Sequence, residues 1–159
     1  MQRTNLRRLV PFMLCVFFMM LGSMTGCQKQ QAESTQKPDV TITWIENFDQ
    51  AVAIAKAENK PVMVYFMATW CPECKKLEAT TLIDQVVIDK THSFIPVWID
   101  VDQYPDIANQ HNGNAGKYGG VGIPNILFLD PNGTRLQHVI GSRTSAELIA
   151  IMEDVLANR

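Results

Sequence analysis

The sequence predicts an α/β fold: a mixed β-sheet with helices on both faces, closed by a C-terminal hairpin and a last helix. Three observations carry that expectation. Apolar runs at 61–67, 94–101 and 126–129 are nearly continuous, as in strands covered on both sides. Stretches of helical periodicity separate them. Asp130-Pro131-Asn132-Gly133 then marks a tight turn into Leu136–Ile140, so the last two strands run antiparallel.

At 159 residues the chain has room for one domain and a short extra segment. The extra segment is N-terminal. Arg3, Arg7 and Arg8 form a basic start, 9–21 is apolar, and Gly22-Ser23-Met24-Thr25-Gly26 supplies small residues before Cys27. That apolar run falls short of the roughly 20 residues a membrane span needs. Met24-Thr25-Gly26-Cys27 resembles a bacterial lipoprotein box. The resemblance implies that 1–26 is a signal peptide and that Cys27 becomes the lipid-bearing first residue of an exported, membrane-anchored protein facing the periplasm. Gln28, in place of an Asp, leans towards the outer membrane in a Gram-negative source. The stretch 27–39 is polar and lacks aromatic residues, as expected of a tether. Without the three arginines, the 14 basic residues fall to 11 against 16 acidic, a net of −5. This balance argues against a nucleic-acid partner.

The folded domain occupies 40–159. Val40–Thr43 reads as a short edge strand. Asn47 is placed to cap a helix with Gln50 three residues on, and Asn59-Lys60-Pro61 ends it. The strand 61–67 leads to Trp70-Cys71-Pro72-Glu73-Cys74-Lys75, which opens the next helix. Asp84 caps a short piece with Val86–Ile88, and Pro105 starts a helix reaching about Gln110. The glycine-rich loop 111–120 lacks the strand and the spacing of a phosphate cradle. Ser142 or Thr144 caps the last helix, with Leu148, Ile149, Met152, Val155 and Leu156 on one stripe.

Cysteines three apart on a helix lie close enough to form a disulfide with little backbone movement. At the helix N-terminus the first thiolate gains from the macrodipole and free backbone N–H groups. Cys71 is therefore expected to be the exposed attacking thiol, and Cys74, one turn deeper, the resolving one. Pro72 stiffens the first turn at no cost in hydrogen bonds. Glu73 opposes ionisation of Cys71, which favours a reducing role. His92, His111 and His138 are scattered, so no metal site and no cofactor is expected, although two thiolates can hold Cu(I).

Beyond the cysteines, Trp70, Lys75, Val101-Asp102-Gln103-Tyr104-Pro105, Lys117-Tyr118-Gly119, Gly122-Ile123-Pro124-Asn125 and Gly141 resemble the thioredoxin family over 40–159. The approach Asn59-Lys60-Pro61 is similar to the C-terminal domain of the DsbD-type disulfide reductases. The resemblance implies a thioredoxin fold and a protein-disulfide reductase acting through a mixed disulfide. Oxidation or isomerisation of disulfides and copper binding by the same pair are the alternatives. It implies disulfide-bearing exported proteins as substrates and a membrane electron donor of the DsbD type. It also implies a cis bond at Ile123-Pro124 beside the cysteines, offering a backbone edge to substrate, with Trp70 shaping the surface. Two positions depart from the family. Tyr65 stands where a buried acid usually assists deprotonation of the second Cys, and Trp98 where thioredoxins carry a partnering Lys. Tyr65, Glu73 and water are the candidates for proton transfer at Cys74.

Overall fold

The computed structural model describes residues 41–159. The expected signal peptide, the tether with Cys27, and Val40 lie outside the described residues. Among the described residues, no helix is long and apolar enough to cross a membrane.

The elements follow in the order α1 (Phe48–Glu58), β1 (Val62–Met67), α2 (Pro72–Thr80), α3 (Gln85–Thr91), β2 (Ile95–Asp100), α4 (Pro105–Gln110), a 3-10 turn (Gly116–Tyr118), β3 (Asn125–Leu129), β4 (Arg135–Ile140) and α5 (Ser145–Ala157). The strands form one sheet in the order β2-β1-β3-β4. β1 pairs with β2 in parallel, Tyr65 opposite Trp98. β3 runs antiparallel to both β1 and β4. This is the mixed sheet the sequence predicts.

Local chemistry sets the boundaries. Asn47 accepts the Gln50 N–H and starts α1, and Asn59 ends it in the left-handed region at φ 51°. Asp84 caps α3 through the Val86 N–H. Thr144, rather than Ser142, caps α5 and forms a reciprocal capping box with Glu147. Such a cap stabilises a helix by about 1 kcal/mol.

All six residues of β1 and all five of β3 are buried, so the two central strands are covered on both faces. Tyr65, Phe66, Phe94 and Phe128 are the bulkiest fully buried side chains. Each such burial contributes about 1.5–3 kcal/mol.

One element differs from expectation. Thr41–Thr43 form no strand, and among the described residues ahead of α1 the sheet is met at an isolated parallel bridge between Ile45 and Val97. Ile42 is buried, so its alternation with the threonines reflects side-chain packing without a hydrogen-bonded ladder.

Candidate active site

β1 is the central strand that aims the site. It runs into the turn 68–70 and then into α2, whose N-cap is Cys71 and whose first helical residue is Pro72. The Cys71 sulfur accepts the Cys74 backbone N–H at 3.1 Å. Cys71 and Cys74 form a disulfide, with their Cα atoms 5.3 Å apart. A thiolate at Cys71 would thus meet the positive end of α2 and an N–H already directed at it.

Cys71 is not the exposed residue its sequence position suggests: it is 3% accessible, and Cys74 is fully buried. The N-cap geometry turns its sulfur inward, onto the helix end and the buried Cys74. Pro72 and Glu73 remain exposed on the outer side of the turn. The Ser142 hydroxyl lies 3.4 Å from both the carbonyl and the carboxylate of Glu73, linking the cysteine turn to the start of the last helix.

Behind the disulfide lies Tyr65, fully buried. Its hydroxyl donates to Glu78 Oε1 at 3.1 Å, with the Cys74 carbonyl oxygen 3.4 Å away. Burial, then the charge of Glu78 and the hydrogen bond to it, push the Tyr65 pKa far up. Tyr65 therefore stays protonated and acts as a donor. The carboxylate that Tyr65 meets comes from α2: Glu78 is four residues after Cys74, and helical side chains tilt back towards the N-terminus. Its carboxylate is thereby carried over the turn that holds Cys74.

In front of the disulfide lies an exposed rim. The Trp70 indole N–H and the Tyr118 hydroxyl both donate to Asp102, the latter at 2.6 Å. These two bonds, Tyr118 first, together with nearby Lys117, hold the Asp102 carboxyl below the usual carboxylate range. The Lys117 ammonium sits over the Trp70 ring at 3.5 Å and over the Tyr118 ring at 4.6 Å. Trp70 is consequently fixed in orientation while 42% exposed. A cleft of about 260 Å³ opens beside it, lined by Val101, Asp102, Pro105, Asn109, Asn114 and Tyr118.

The segment entering β3 carries the remaining residues that the sequence singles out. The Ile123-Pro124 peptide bond is cis, with Pro124 buried and Ile123 half-buried. Gly122 reaches φ 101°, a conformation that favours glycine.

Sequence reasoning missed Glu78, Lys117 and Ser142 as members of the site. Glu78 had a legible signal in its spacing from Cys74. The other two arrive through loop packing that no local pattern encodes.

Comparison with known proteins agrees with this geometry. Residues 48–156 match the thioredoxin-like domain family. The chain belongs to that family. Thiol:disulfide interchange protein DsbD of Vibrio vulnificus is 33% identical over 106 residues, which cover 65% of this chain and 17% of that one. Thioredoxin of Mycobacterium bovis is 30% identical over 64% of this chain and 79% of its own. The chain thus spans about one sixth of the DsbD relative and most of the thioredoxin. Among solved structures, a Thermus thermophilus thioredoxin superimposes with a TM-score of 0.61 at 26% identity, covering 73% of this chain and 88% of that one. The reduced C-terminal domain of Neisseria meningitidis DsbD gives 0.54 at 27%, covering 67% and 91%. Cys71 and Cys74 form the disulfide of this thioredoxin-like domain.

Proposed function

We propose that the protein is a protein-disulfide reductase of exported substrates. The observation that carries this reading is the Cys71 sulfur seated as the N-cap of α2, bonded to Cys74 and accepting its N–H. In the reduced form the Cys71 thiolate attacks a substrate disulfide; one substrate sulfur leaves as a thiolate and takes up a proton. The resulting mixed disulfide is resolved when Cys74 attacks Cys71 Sγ, releasing the second substrate thiol and closing Cys71–Cys74. A dithiol donor of the DsbD type then returns two electrons to the pair.

Resolution requires Cys74 to lose its proton inside the fold. Glu78 accepts it, and Tyr65 holds the Glu78 carboxylate in place by donating to it. Glu73 is exposed on the outer side of the turn, where its charge disfavours ionisation of Cys71. Trp70 and the Ile123-Pro124 segment flank the disulfide as the surface that meets substrate.

The reducing direction is supported by Glu73 between the cysteines and by likeness to thioredoxin and to the DsbD C-terminal domain. Export and a lipid on Cys27 are supported by the basic, apolar and small-residue regions of 1–27; the domain would then work tethered to a membrane on the periplasmic side, the outer one by the Gln28 criterion.

Insulin reduction tests the chemistry. The Cys71→Ser variant loses turnover and Cys74→Ser accumulates mixed disulfides; turnover in Cys71→Ser would sink the mechanism. A potential of the pair near about −270 mV supports the reductase, and one near about −120 mV would make it an oxidant. Mass spectrometry of membrane-extracted protein reads the lipid on Cys27 directly.

A further inference from the structure

Asn125, the first residue of β3, follows the cis proline and is fully buried. A buried amide needs partners for two N–H groups and a carbonyl, and here all three are met. Nδ2 donates to the carbonyl oxygens of Gly113 and Gly122, each at 2.8 Å. Both are pure acceptors, which fixes the orientation of the amide. Oδ1 therefore faces His138 Nε2 on β4 at 2.8 Å, and His138 must carry its proton there.

The consequence falls on the residue between. The Gly122 N–H donates to the Asn114 carbonyl at 3.0 Å, so the polar groups of Gly122 are held from both sides. The Pro124 carbonyl accepts the Gly141 N–H at 2.9 Å. Among the described residues, no hydrogen bond engages the N–H or C=O of Ile123. One unpaired backbone unit, half-buried, is thus fixed between two clamped neighbours. Gly113 is itself locked in place: a Cβ there would come within 2.5 Å of the Phe66 ring.

We propose that Asn125 is the positioning residue of the substrate edge. Its amide ties the Gly122 and Gly113 carbonyls together so that the Ile123 backbone is presented, already shaped, to an extended disulfide-bearing segment, and His138 orients the amide. The role rests on the reading above that Ile123-Pro124 meets substrate. An edge held in advance removes an ordering cost from binding. It acts on capture of a protein substrate and leaves sulfur chemistry alone.

The test compares insulin, which needs the edge, with dithiothreitol, which does not. Asn125→Ala is expected to raise KM for insulin about tenfold while kcat, and the rate at which dithiothreitol reduces Cys71–Cys74, stay within about twofold of wild type. His138→Leu raises KM about threefold, and His138→Gln, which keeps an N–H, recovers most of that rise. An unchanged KM in Asn125→Ala overturns the proposal, and so does an equal loss with dithiothreitol, which would mark a merely structural residue. If Asn125→Ala does not fold, the His138 pair decides: equal KM in Leu and Gln variants overturns it. Wild-type turnover of insulin is measured first. Its absence overturns the redox reading and this role with it, whereas turnover with an unshifted Asn125→Ala overturns this role alone.

Discussion

The disulfide stands between two pairings of the same kind. Behind it, an aromatic hydroxyl donates to a carboxylate, Tyr65 to Glu78; in front, an aromatic hydroxyl and an indole donate to another, Tyr118 and Trp70 to Asp102. They differ in burial. Tyr65 is fully enclosed, whereas Trp70 and Tyr118 are 42% and 49% exposed. Enclosure suits the rear pair to the proposed proton transfer, since a hydroxyl deprived of water is held firmly protonated and donates to Glu78 beside the Cys74 backbone carbonyl. Water makes the front pair a device for orientation, because exposed charge-assisted contacts carry little energy and mostly fix where Trp70 points.

The widest separation between the two is expected in Glu78→Gln. It lowers the rate of mixed-disulfide resolution about a hundredfold at neutral pH, the lower range for general base catalysis. Stopped-flow thiol release measures it, and the deficit shrinks as pH rises and hydroxide takes over. An equal loss in Asp102→Asn would erase the difference between the two pairs.

Tyr65→Phe tests the same pair from its other end. With Glu78 retained but no longer held, the loss is about tenfold, and the missing hydrogen bond costs about 0.5–1.5 kcal/mol in a urea melt. A Tyr65→Phe variant as slow as Glu78→Gln would give the hydroxyl itself the proton-transfer role.

Burial also predicts the response to acid. His111 and His138 are depressed below their ordinary value of 6.5, first by burial and then by the charge of Arg135. The unfolded chain therefore binds more protons than the folded one in this range. Stability is greatest above 6.5 and falls as pH drops through the window down to the depressed folded values. Thermal melts at roughly pH 7.5 and roughly pH 5 read the sign; a higher midpoint in acid would refute it. Asp102 is depressed in the carboxylate range, so its contribution is present above 3.8 and lost lower still, as pH falls through its folded value.

The smallest effect is that of Asp102→Asn. It changes kcat/KM for insulin less than about threefold, because the rim is exposed, and shows chiefly as altered Trp fluorescence. Lys117→Ala adds the loss of a cation–π contact worth about 0.5–1 kcal/mol at exposed sites.

The sequence was informative wherever a single local rule decides. The caps at Asn47, Asp84 and Thr144, the buried runs of β1 and β3, and the 130–133 turn all follow from patterns a few residues long. The cysteine helix was legible for the same reason. What escaped was set by contacts between distant segments. The pairing of Tyr65 with Glu78 joins a strand to a helix across 13 positions. An acid on a helix is usually a solvated one, so the spacing of Glu78 from Cys74 was its only mark. Ile42 misled in the other direction, since alternation at 41–43 reports a buried side chain and no ladder.

β1 places two aromatic residues side by side, and neighbours on a strand face opposite ways. Tyr65 looks towards α2, and Phe66 lies under Gly113, whose carbonyl Asn125 holds. A slip of one residue in one direction would set the Phe66 ring against Glu78, and a slip in the other would set the Tyr65 hydroxyl against a glycine that has no room for it. The proposed proton acceptor and the proposed substrate edge therefore share a single alignment marker. On the proposed mechanism redox activity is a readout of strand register, and a molecule whose central strand pairs out of step would carry both cysteines and lack part of the machinery proposed around them.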